Sequence, residues 1–126
     1  MAITRINVTT PTNEILFSDS AMGNAVDAVK ASSAVVNYII IDNTLNNSAV
    51  YVKLYNLASG SVTVGTTAPD EIIYVPASSI ITHVLYTAAV VGKTFGTAVS
   101  AVCVTAGGTA GSTPPTMSVP VTISYV

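Results

Sequence analysis

Few side chains in this sequence could do chemistry, and they are scattered along it. A single histidine, His83, and a single cysteine, Cys103, could act as base and nucleophile if a sheet carried them into hydrogen-bonding reach. That chemistry also needs an orienting group and an oxyanion hole, and no elbow or signature surrounds either residue. Cys103 sits between Val102 and Val104, as a small buried hydrophobe does. His83, between Thr82 and Val84, reads as a strand residue satisfied by a neighbour. Gly92-Lys93-Thr94 matches the end of a phosphate-binding loop, but the first glycine of that loop would fall at Thr87, and no strand-to-helix transition follows. A hairpin loop is the reading there. Asp70-Glu71 and Asp42 could lend oxygens to a hard cation, which wants six or more. Carboxylates at turns and strand starts are expected as caps instead. No catalytic, cofactor-binding or metal-ligating residue is assigned, and the chain is read as a non-enzyme.

Tyr51 and Tyr55, flanking Lys53, are the residues expected to make contact with another protein. Tyrosine offers a large apolar area with a polar end and is enriched at interfaces. The alternative is that a loop or a second sheet covers this face.

The elements that would position these residues are strands. Val50, Val52 and Leu54 point one way and Tyr51, Lys53 and Tyr55 the other, the period of a sheet with one buried face. Turn chemistry at 56–60 leads to a short strand over 61–64, a second turn at 65–70, then EIIYV closed by Pro76. Upstream, AVVNYIIIDN (34–43) reads as a strand covered on both faces. Downstream, 78–87 alternates, with Ile81, His83 and Leu85 opposite Ile80, Thr82, Val84 and Tyr86. The segment 88–96 is a loop or short edge strand, and TAVSAVCVT is another strand. GGTAGSTPP is the most flexible piece. In the closing MSVPVTISYV, Pro120 belongs at an edge or bulge, because it cannot donate to a ladder. Residues 2–9 form a first strand or an arm, and 18–32 hold one or two helical turns or an irregular excursion. The chain therefore divides into a lead-in, 1–33, and a β domain, 34–126. Seven or eight short strands without a firm helix predict an all-β, antiparallel β-sandwich or jelly roll.

Composition narrows the function. Half of the 126 residues are hydrophobic and only 8% are charged, against about 25% in ordinary soluble domains. Such a surface must be covered by Ser, Thr and Asn or buried against other subunits, so a homo-oligomer is expected. The four cations, Arg5, Lys30, Lys53 and Lys93, form no cluster that could displace counterions from phosphates, which argues against nucleic acid. No amphipathic basic helix, signal peptide or long apolar run is present, which argues against a membrane and for synthesis in a cytoplasm.

The phrases VKLYN (52–56), SVTVGTTAPD (61–70), IYVPA (73–77), TAVSAVCVTAGGTAG (97–111) and VTISYV (121–126) resemble small virion proteins of tailed bacteriophages, the β proteins that decorate or cement a capsid. The resemblance covers about residues 34–126 and contains no catalytic motif. It implies location in a virion, contact with the major capsid protein or another virion protein, and a small symmetric oligomer, a trimer matching three-fold sites. The alternative from another class is a fibre or tail-associated β module holding a host glycan through Tyr and Asn/Asp loops.

Overall fold

The computed structural model describes residues 13–126, and every element in it longer than a single turn is a strand. The expected arm at 2–9 lies outside the described residues. Strands β1 (Ile15–Asp19), β3 (Ala34–Asp42), β6 (Ile80–Val84), β9 (Lys93–Phe95) and β11 (Val121–Tyr125) form a first antiparallel sheet, in the order β1-β11-β3-β6 with β9 also on β3. Strands β2 (Asp27–Lys30), β4 (Val50–Tyr55), β5 (Glu71–Val75) and β10 (Val99–Val104) form the second, in the order β2-β10-β4-β5. Strands β7 (Tyr86–Thr87) and β8 (Val90–Val91) pair with each other and, among the described residues, with no other strand.

The alternation read from the sequence fixes what is buried. From the first sheet, Val36, Ile39, Ile41, Val121 and Ile123 turn inward; from the second, Val50, Val52, Leu54, Ile73, Val75, Ala101 and Cys103 do. All belong to one apolar cluster, so the two sheets share a core. Removing this area from water, at about 25 cal/mol per Å², is the main force holding the sheets together. β-branched residues dominate the cluster because their stiff χ1 suits a pleated surface.

Several local expectations change. Residues 15–30 are no lead-in: β1 pairs with β11 and β2 with β10, so each supplies an edge strand to one sheet. The helical turns allowed at 18–32 do not form, because Val29 is drawn into the core as part of β2. The strand expected at 61–64 is a 3-10 turn at Ser59–Ser61 followed by turns, with Thr66 and Thr67 N–H both donating to the Thr63 carbonyl. Pro120 occupies neither an edge nor a bulge. It immediately precedes β11, the strand between β1 and β3, where its missing N–H costs the ladder nothing and its carbonyl accepts from Asp42 N–H.

The run 34–43 is not covered on both faces either. It contains a β-bulge: Ser124 faces Tyr38 but Tyr125 faces Val36, leaving Asn37 over. The extra residue reverses the parity, so Ala34 and Val36 point inward before it and Ile39 and Ile41 after it. A continuous apolar run in the sequence is therefore two alternating patterns joined out of phase.

Candidate contact surface

The two outer faces of the molecule are built differently. On the second sheet, Tyr51, Lys53 and Tyr55 do lie on the face away from the shared core, as their alternation requires, yet that face is closed. Lys53 and Tyr55 have no exposed surface at all. Tyr55 packs with Val62, Val102 and Val104, beside Leu57 and Val64 from the turns after β4. The Lys53 ammonium donates to the carbonyls of Gly108 and, at 2.9 Å, Gly111, and burial lowers its pKa. Tyr51 leans on Tyr74 with ring centroids 5.5 Å apart.

The cover is the loop 105–113, joined at its ends by Thr105 N–H donating to the Thr113 carbonyl at 2.9 Å. Two glycines make the closure possible. A Cβ on Gly107 would lie 2.9 Å from the Tyr51 ring, and one on Gly111 would lie 2.2 Å from the Ala106 carbonyl oxygen. The stretch expected to be the most flexible is thus the lid of this face, and a lysine holds it down. Of the two readings open for Tyr51, Lys53 and Tyr55, cover by the chain's own loop is the one this fold contains.

The outer face of the first sheet has no such lid among the described residues. Its rows follow from the register: Ser18, Thr122, Ile40 and Thr82 lie side by side, and Leu16, Ser124, Tyr38 and Val84 form the next row. Ile80 follows Thr82 on the same side of β6, opposite Asp42. Leu16 is 57% exposed, Ile80 59% and Ile40 38%. Among the described residues, the carboxylates beside these rows are Asp42, at one end, and Glu14. Asp42 caps its own turn by accepting from Thr44 N–H at 3.0 Å. Glu14 accepts from Ser124 Oγ, and its hydrogen bond to Tyr38 raises that phenol's pKa.

A second exposed feature starts at the bulge. Val84 pairs with Tyr38 and the ladder to β3 resumes where Lys93 pairs with Val36, so residues 86–91, between buried Leu85 and Gly92, project from the sheet opposite Asn37. Leu85 N–H donates to the Asn37 carbonyl and Gly92 N–H to the Leu85 carbonyl, which closes the neck. Gly92 has φ 111°, and a Cβ there would sit 2.6 Å from Val35, so only glycine passes this point without displacing β3. Beyond the neck stands the hairpin β7–β8, with Tyr86, Val90 and Val91 exposed. Its two-residue turn, Ala88-Ala89, has φ of 49° and 65°. Gly or Asn normally fills such a turn, and alanine there costs about 1 kcal/mol per residue.

The groups that could do chemistry are not brought together. Cys103 is buried in β10, and burial pushes its thiol up to about 12, so it is neutral and unreactive at physiological pH. His83 lies on β6 of the other sheet. Lys93, of Gly92-Lys93-Thr94, is ion-paired with Glu71 at 2.7 Å and donates to the Asp70 carbonyl. Asp70 accepts from Asn56 N–H at 2.6 Å. These carboxylates are turn caps and a strand-edge ion pair, and no group of three or more His, Cys, Asp or Glu side chains suited to a metal occurs among the described residues. One further titratable pair was not anticipated. Asp19 on β1 and Asp27 on β2 face each other across the seam between the sheets, and desolvation with the Asp19 carboxylate beside it raises Asp27 to about 7.

Comparison with protein-family models, with curated proteins and with solved structures returned no match. Among the described residues no helix is long and apolar enough to cross a membrane. The exposed residues that set the open surface, Leu16, Ile40, Ile80, Tyr86, Val90 and Val91, were not singled out from sequence. A signal was present: residues 72–92 contain no Asp, Glu, Lys or Arg.

Proposed function

We propose that this is a structural protein of a virus particle, a decoration or cement protein that binds between or over subunits of a phage head as a small symmetric oligomer. In this reading the two facing antiparallel sheets are a β-sandwich of the jelly-roll kind, and the partner is the major capsid protein or another virion protein. One observation carries the proposal: the outer face of the first sheet presents exposed Leu16, Ile40 and Ile80 among uncharged Ser and Thr, with nothing from the described chain over them. Apolar side chains exposed on a sheet face of a charge-poor chain gain free energy when another protein excludes water from them. Each contact is modest, but repetition over a lattice multiplies it. The sequence resemblance and the inert setting of Cys103 agree with a binding role.

Co-sedimentation of the purified chain with purified empty shells, with light scattering to count subunits, tests this. Saturable pelleting with shells is expected. Failure to bind any shell removes the decoration role, and strong saturable binding to one sugar on a glycan array replaces it with the tail-module reading.

A further inference from the structure

We infer that the chain binds a second copy of itself by laying the hairpin β7–β8 of one subunit on the open outer face of the first sheet of the next. This rests on the homo-oligomer in the reading above, but not on any shell. The hairpin carries no charge, and the face is apolar and hydroxyl-bearing with the Asp42 and Glu14 carboxylates at its margins. The hairpin exposes Tyr86, Val90 and Val91 within a stretch that has no ionised side chain, and the face exposes Leu16, Ile40 and Ile80 between Ser18, Thr82 and Thr122. The hairpin brings no ion of its own to the contact, so the only carboxylates that must stay hydrated are those two at its margin.

The two surfaces do not meet within one chain. The hairpin leaves at the far end of β6 from Ile80, and six residues of extended chain separate Ile80 from Tyr86, about 20 Å. Each remains exposed in the folded subunit. A two-strand hairpin is marginal alone in water, and six residues cannot supply the roughly 800 Å² per partner of a standard interface. A contact between unlike surfaces supports the hairpin, and because every subunit contributes a hairpin and a face the contact is repeated within the assembly. A reciprocal pair makes the contact twice, and a closed ring makes it once per subunit. The turn adds an argument of its own. Ala88 and Ala89 keep methyl groups at the tip at positive φ, where glycine would be relaxed. Strain held at an exposed tip is explained if those methyls are buried in a partner.

The test uses the full chain in sedimentation velocity, with Val90→Asp to spoil the hairpin and Ile80→Asp to spoil the face. Both positions are exposed, so the fold should survive, and circular dichroism checks that it does. Wild type should associate, and each variant alone should be monomeric, with its self-association weakened about 100-fold or more. The two variants mixed in equal parts at high concentration should form a dimer and nothing larger, weaker than the wild-type assembly, because each retains one intact surface. A monomeric wild type, a variant that assembles like wild type, or a mixture that stays monomeric would each overturn the inference. Should a variant unfold, hydrogen exchange on wild type replaces it. Amides at 86–91 and at 80–84 should slow together as concentration rises, and concentration-independent exchange counts against the contact. Shell co-sedimentation of monomeric Val90→Asp separates the two readings: shell binding without self-association leaves the decoration role standing.

Discussion

The two outer faces start from the same kind of strand and end in opposite conditions. On the second sheet, Tyr51, Lys53 and Tyr55 alternate as a solvent-facing row would, and the chain then buries them under 105–113 and the turns after β4. On the first sheet, Ile40, Ile80 and Leu16 alternate with the core row just as cleanly and receive no cover from the described chain. The difference lies in the connections. The lid descends from β10, in the centre of the second sheet, and carries glycines where the backbone must pass a tyrosine ring and its own carbonyl. The excursion from the first sheet leaves at its edge, through the neck at Gly92, and projects as a hairpin instead of folding back. Self-contained and unsatisfied surfaces thus sit on one small domain, and charge alone does not distinguish them, since the one lysine on either face is the buried one.

Lys53→Met should have the largest effect on folding. It removes a charge-assisted donor from two carbonyls and should cost about 2–4 kcal/mol in urea denaturation. Amide exchange in 105–113 should rise more than in β3. An unchanged midpoint would mean that the lid closes without its lysine.

The seam between the sheets gives a smaller, pH-dependent effect. The folded-state pKa of Asp27 is raised to about 7, above the unfolded value of about 3.9. The stability this contributes is therefore fully present below about pH 4 and is lost as pH rises through about 7. Because the pair is partly open to solvent, about 1–2 kcal/mol is expected across that window. Asp27→Asn should flatten the profile, and a wild type whose melting temperature does not fall between pH 5 and 8 would break the argument.

Relief of the hairpin turn comes next. Ala89→Gly should stabilise the isolated chain by about 0.5–1 kcal/mol, because φ of 65° suits glycine. If the tip methyl is buried in a partner, the same change should weaken self-association. The smallest effect on folding belongs to the open face. Ile40→Ser should change unfolding stability by less than about 0.5–1 kcal/mol, while weakening association with a partner. A large loss of stability would show that this face is packed after all.

Much of the secondary structure was legible because a period of two is a local property. Strands β4, β6 and β11 follow from alternation, and β3, β5 and β10 from apolar, β-branched runs between turns; the inward row of β4 matches its alternation residue by residue. The stretch 18–32 was misread because an edge strand of four residues has little pattern of its own, and only pairing with β10 makes Asp27–Lys30 a strand. The bulge at Asn37 was hidden for the same reason: an extra residue shows only when the partner strand is known.

The sequence by itself determined that the chain is built of strands, that no catalytic motif surrounds its cysteine or histidine, and that its charged side chains are few and scattered. Tertiary structure alone decided which apolar row is covered and which is left open. Alternation says that two faces exist, but only the path of the connections over them determines which one water still reaches.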